Sequence, residues 1–167
     1  RKVAYLEPSL RARGALVLYR RNVCYDMESF RVALRAMREQ WRVFTHYITL
    51  NCGLVGPMLP PYLIGSTTHW TELLTRAVRG QTKLVGMFVC CGGIGSKVWP
   101  HIDSSLWVTD AQGLAWMEED GAFFQCSQTE EGSSSTDVYH EVIVRYEMGM
   151  SRAMLRRGWN IEDLNLL

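Results

Sequence analysis

The run Lys83 to Cys91, KLVGMFVCC, constrains this chain more than any other stretch. A membrane-spanning helix needs about 20 apolar residues, and this run is much shorter and stops at Gly92 and Gly93. A short apolar run bounded by glycines reads as a strand in the interior of a sheet. Helical patterns flank it. MESFRVALRAMREQW follows Asp26, a candidate cap, and carries Phe30, Ala33, Leu34 and Met37 on one face. Thr68 to Val78 repeats the pattern with Trp70, Leu73, Leu74, Ala77 and Val78, and Gly80 stops it.

Further strands are expected at Ala15–Tyr19 (ALVLY), Val43–Leu50 (VFTHYITL) and Ser104–Val108. The proline- and glycine-rich GLVGPMLPPYLIGST is a shaped loop, Asp110 caps a helix through Met117, and Val138–Met154 carries a helical apolar stripe ahead of Gly158. Strands alternating with helices predict an α/β fold with a mostly parallel sheet flanked by helices, whose ligands sit beyond the strand C-termini. At 167 residues, one domain over 1–167 is expected, with a mobile polar loop near 125–137, QCSQTEEGSSSTD.

The 18 Lys and Arg against 17 Asp and Glu leave a net charge of +1, so no global field favours nucleic acid, and no membrane span is visible. Five cysteines (Cys24, Cys52, Cys90, Cys91 and Cys126) include no C-x-x-C pair, so buried thiols are expected rather than a disulfide scaffold or a zinc site. The chain begins at Arg1, which leaves room for a longer protein or assembly and for a first strand outside it.

For chemistry, GGIGSK has glycines and Lys97 but lacks phosphate-loop spacing, and Trp99-Pro100 discourages a helix behind it. A turn after the buried strand is the better reading. His101 and Asp103, two apart, point to one side of an extended segment and invite an acid-base role against the alternative of an exposed polar loop. Asp110 reads as a helix cap as readily as a site carboxylate. Glu147 lies in an amphipathic helix, either on a solvated face or at a helix–sheet boundary. Arg20, Arg21 and Asn22 close a predicted strand, where a guanidinium can hold a diphosphate or serve as an ordinary basic exit.

Five blocks in order, RRNVCYDMESFRVAL, YITLNCGLVGPMLPPYL, WTELLTRAVRGQTKLVGMFVCC, PHIDSSLWVTDAQGLAWM and YEMGMSRAMLRRGWNI, resemble the rhamnan-synthesis protein F type of glycosyltransferase domain. The match rests on Asn22 with Tyr25-Asp26, Leu50-Asn51 with Gly56-Pro57, Lys83-Leu84-Val85-Gly86, Ser104 or Ser105 with Thr109-Asp110, and Glu147 before Gly158. The resemblance implies a GT-A-like, Rossmann-related fold that takes a nucleotide sugar and passes its sugar to a hydroxyl of a glycan acceptor in polysaccharide synthesis. It implies Arg21, Asn22, Asp26 and Asn51 for donor binding, and Asp103, Asp110 and Glu147 as catalytic candidates.

A divalent cation, Mn²⁺ or Mg²⁺, is the implied cofactor, but Cys52 stands where the family commonly has an acidic residue, and a thiol is a poor ligand for either ion. Cys24 likewise replaces a usual glycine. A catalytically degenerate domain serving as an accessory subunit is the alternative. The compartment follows from the choice: secretory pathway or cytoplasm for a transferase, an organellar assembly for a degenerate domain.

Overall fold

The computed structural model describes residues 7–21, 23–37, 44–56, 61–94, 97–120 and 136–164. The predicted polar loop at 125–137 lies outside them, except that a helix begins at Thr136. In chain order the elements are α1 (Glu7–Ala12), α2 (Tyr25–Ala36), β1 (His46–Leu50), a 3-10 turn (Pro61–Leu63), α3 (Trp70–Ala77) and β2 (Thr82–Gly86). Four two-residue strands follow: β3 (Val89–Cys90), β4 (Gly93–Ile94), β5 (Lys97–Val98) and β6 (His101–Ile102). The chain continues through β7 (Leu106–Asp110), α4 (Ala111–Asp120), α5 (Thr136–Val142), a π-helical turn (Ile143–Glu147), α6 (Met148–Arg156) and β8 (Asn160–Asp163).

The protein is α/β, with a four-stranded mixed sheet in the order β1-β7-β2-β8. The expected predominance of parallel pairing does not hold. Strand β7 is antiparallel to both β1 and β2, and only β2 and β8 pair in parallel. The reason lies in the connections. Helix α3 carries the chain back between β1 and β2, so these two strands run the same way. The predicted long strand Lys83–Cys91 instead ends at Gly86, and the chain makes an excursion in which β3 pairs with β6 and β4 with β5, both antiparallel. That hairpin reverses direction and feeds β7 into the space between β1 and β2. Strand alternation in the sequence indicates connectivity, whereas the antiparallel insertion needs only a hairpin.

The predicted strand at Ala15–Tyr19 does not form either. Residues 15–20 have no regular structure, Leu16, Leu18 and Tyr19 are exposed, and β1 is an edge strand among the described residues. An apolar run without a pairing edge has no ladder to join.

Strand residues alternate between two cores, as the two-residue strand period requires. Leu84 and Trp107 join Met27, Phe30, Leu114, Met117, Met150 and Met154 beneath α2, α4 and α6. Val85, Leu106 and Val108 meet Leu74, Ala77 and Val78 of α3 on the opposite face. The result is three layers, with the centre of β7 fully enclosed.

Three local devices fix the elements. His69 caps α3 by a reciprocal box with Glu72, Asp110 Oδ1 accepts from Gly113 N at 2.7 Å to cap α4, and Gly158 (φ 83°) ends α6. At Gly86 any Cβ would collide with the Ile102 side chain and lie 2.9 Å from the Leu106 carbonyl oxygen, so β6 and β7 can approach β2 only over a glycine. The hairpin is pinned from the helical layer by Ser151, fully buried, whose Oγ accepts from Ile102 N at 2.8 Å.

Gly86→Ala should lower the free energy of unfolding by about 1–3 kcal/mol through overpacking. Ser151→Ala should cost about 1–3 kcal/mol by stranding a buried N–H. Urea unfolding followed by circular dichroism reads both losses.

Candidate functional site

The sequence turns sharply before α2. Cys24 (φ 48°) and Tyr25 (φ 51°) both occupy the left-handed region, which suits glycine far better than either residue. Arg20 holds the turn: its Nη1 donates to the Arg21 carbonyl at 2.6 Å and to the Val23 carbonyl at 2.8 Å, its Nη2 to the Tyr25 carbonyl, and its Nε to Ser29 Oγ at 2.8 Å. Cys24 is disulfide-bonded, with its partner outside the described residues, which corrects the expectation of thiols alone. Strain of this kind persists where the surroundings over-determine it. Here it delivers Asp26 to the first turn of α2. Asp26 is therefore not the helix cap; Cys24 occupies that position without a side-chain cap.

Asp26 meets residues from distant parts of the chain. Asn51, just past β1, donates from Nδ2 to Asp26 Oδ2 at 3.4 Å, while its Oδ1 accepts from Gly53 N at 2.8 Å. Its backbone N–H donates to the Ser105 carbonyl at 2.9 Å, which ties the end of β1 to the start of β7. Ser104 Oγ donates to the same Asp26 oxygen at 3.5 Å. Asp103 Oδ1 accepts from Ser105 N at 2.8 Å, a local turn that orients its carboxylate. Both bonds to Asp26 are long, as is common where no ligand draws a site together.

Glu147 completes the group from the helical layer. Helix α5, the π turn and α6 form one continuous rod, and Glu147 is the last residue of the π turn. Buried residues Val142, Tyr146, Met150 and Met154 recur every four positions, a spacing that drifts by about 40° per step in a regular α-helix. The wider i→i+5 turn absorbs that drift and re-aims the neighbouring side chain. Burial raises the Glu147 carboxyl above its ordinary value of 4.5, and the charge of Asp103 and, more weakly, of Asp26 push the same way; a hydrogen bond with Ser104 and the nearby His101 oppose them. Burial, with help from Asp103, Glu147 and Cys91, also raises the Cys90 thiol, which disfavours a nucleophilic thiolate.

Thus Asp26, Asn51, Asp103 and Glu147 come together, all half-buried, beyond the C-terminal ends of β1 and β2. Asp110 does not join them. It sits at the far end of β7, where it caps α4 and its Oδ2 receives Lys83 Nζ at 2.6 Å, so its role is architectural. Arg21 is exposed on the turn before α2, and Asn22 lies outside the described residues. His101 is buried, its Nδ1 2.9 Å from the Trp99 carbonyl oxygen, rather than on an exposed loop. GGIGSK contributes to the β4–β5 hairpin, with no helix N-terminus following it.

Two contributors were not singled out from the sequence. Ser104 stood only as half of a resemblance pattern, and Arg20 was grouped with a possible diphosphate contact, although its guanidinium is committed to backbone carbonyls. The π turn had a signal, the strict four-residue apolar spacing.

The divalent cation implied by the resemblance finds no ready ligand set. Among the described residues, no three His, Cys, Asp or Glu side chains converge to hold a metal ion, and Cys52 is an exposed free thiol. No helix of the described residues is long and apolar enough to cross a membrane. No family model, curated protein or solved structure matches the chain.

Because the Glu147 carboxyl is raised in the fold, the native state binds more protons than the unfolded chain between 4.5 and that raised value, and stability falls as pH rises through this window. Glu147→Gln should therefore melt at a higher temperature than the wild type at neutral pH. The difference should close as pH falls below 4.5, the ordinary glutamate value, in thermal scans run from acid to neutral pH.

Proposed function

We propose that this chain is a glycosyltransferase-like domain of GT-A-like type, which takes a nucleotide sugar and transfers the sugar to a hydroxyl of a glycan acceptor. The observation that carries this reading is the convergence of Asp26, Asn51, Asp103 and Glu147 from four separate segments on the strand-end side of an α/β sheet. These are the positions to which the residue-block resemblance attaches donor and catalytic roles, and the distance of Asp110 from them narrows that set.

In this reading Asp26 and Asn51 contact the donor, and Arg21, exposed on the adjoining turn, supplies positive charge for its diphosphate. Asp103 is the base. The acceptor hydroxyl gives its proton to the Asp103 carboxylate as its oxygen bonds to the anomeric carbon. The bond from that carbon to the diphosphate oxygen breaks, and the electron pair leaves on the diphosphate. The disulfide at Cys24 favours an oxidising compartment, the secretory pathway over the cytoplasm.

Titration calorimetry with a panel of uridine- and guanosine-diphosphate sugars, each with and without Mn²⁺, tests the reading. Saturable binding of a donor is expected, weakened by Asp26→Asn and abolished by Asn51→Ala. Asp103→Asn, which keeps the oxygen that accepts from Ser105 N, should retain donor binding and lower turnover by about 10²–10⁴-fold. If a folded protein binds none of these donors, the transferase reading fails and the degenerate accessory subunit takes its place.

A further inference from the structure

Ser104 stands between two carboxylates and has only one hydrogen to give. It contacts Asp26 Oδ2, which already receives Asn51 Nδ2, and it is also hydrogen-bonded to Glu147. If both carboxylates were charged, one of them would lose the Ser104 donor, and the two charges, with Asp103 beside them, would repel each other in a half-buried space. A single proton resolves the conflict, and the surroundings decide where it rests. Asp26 lies in the first turn of the twelve-residue helix α2, where the N-terminal dipole favours negative charge. Glu147 lies within a continuous helical rod, away from either end, where no such dipole assists it.

We propose that Ser104 is a positioning residue whose hydroxyl accepts a hydrogen bond from a protonated Glu147 and donates its own hydrogen to Asp26. The chain Glu147–Ser104–Asp26–Asn51 is then a directed relay that holds one proton at its Glu147 end and keeps Asp26 as an acceptor. The groups facing Glu147 support this direction: burial and the charges of Asp103 and Asp26 favour the neutral acid, while His101 opposes it. Cys90, which Asp103 and Glu147 help to keep as a thiol, adds no negative charge. A neutral Glu147 leaves Asp103 as the carboxylate free to take a proton, so the relay makes the site pH-sensitive through Glu147. This deepens the transferase reading by placing its proton.

The two possible directions of the Ser104 hydrogen predict opposite signs. Carboxyl ¹³C NMR titration of the full chain, with the Glu147 resonance assigned by its loss in Glu147→Gln, separates them. In Ser104→Ala the neutral acid loses its acceptor, so the Glu147 titration midpoint should move to lower pH, and Ser104→Thr, which restores a hydroxyl, should return it. Ser104→Gly should give the same sign as alanine and serves if the alanine variant fails to fold. A midpoint that moves to higher pH would mean that Ser104 donates to an ionised Glu147, and an unmoved midpoint would mean that no bond joins them; either overturns the proposal. The titration needs no donor or acceptor sugar, so its failure and a failure of donor binding are read separately.

Discussion

Strand β7 is the constraint on which the rest depends. It hydrogen-bonds on both edges, to β1 and to β2, and its Trp107, Val108 and Thr109 are fully buried between the helical layers. Because it runs against both neighbours, its two ends do different jobs. The N-terminal end, with the turn Asp103–Ser104–Ser105 before it, lies beside the C-terminal ends of β1 and β2 and joins the carboxylate group. The C-terminal end carries Asp110, which caps α4 and holds Lys83. Reversing the strand would exchange these ends and separate Ser104 from Asn51.

This polarity explains why the carboxylates divide as they do. Asp110 and Asp103 belong to the same block of sequence, and both stand beside hydroxyl residues. A carboxylate with a cation at hydrogen-bond distance and a helix N-terminus to cap is electrostatically satisfied. Asp103, Asp26 and Glu147 instead face one another, relieved chiefly by hydrogen bonds from neutral groups and by His101. An unrelieved concentration of like charge opposes folding, and such arrangements are typical of functional sites.

Much of this was legible in the sequence. Amphipathic spacing located α2, α3, α4 and the α5–α6 rod, and the cap at Asp110 was readable from its position alone. The places of Asp26, Asn51, Asp103 and Glu147 followed from the order of residue blocks. Strand direction was not legible: a two-residue period is the same for parallel and antiparallel pairing, and the break after Gly86 sits within an apolar run that continues through Met87, Phe88 and Val89. The fate of Ala15–Tyr19 was also hidden, because its apolar content says nothing about whether a free sheet edge exists. Ser104 escaped notice because a serine in a turn has no pattern of its own; its significance comes from Asp26 and Glu147, which approach it from distant parts of the chain.

The clamped turn at Cys24 and Tyr25 has a kinetic side. Arg20 and the disulfide fix the backbone in a left-handed path before any ligand arrives, so Asp26 is presented in place rather than recruited from a fluctuating loop. The entropy of ordering that segment is spent during folding. Encounter at this edge of the site is therefore governed by diffusion and orientation, and discrimination among ligands falls to how long each one stays.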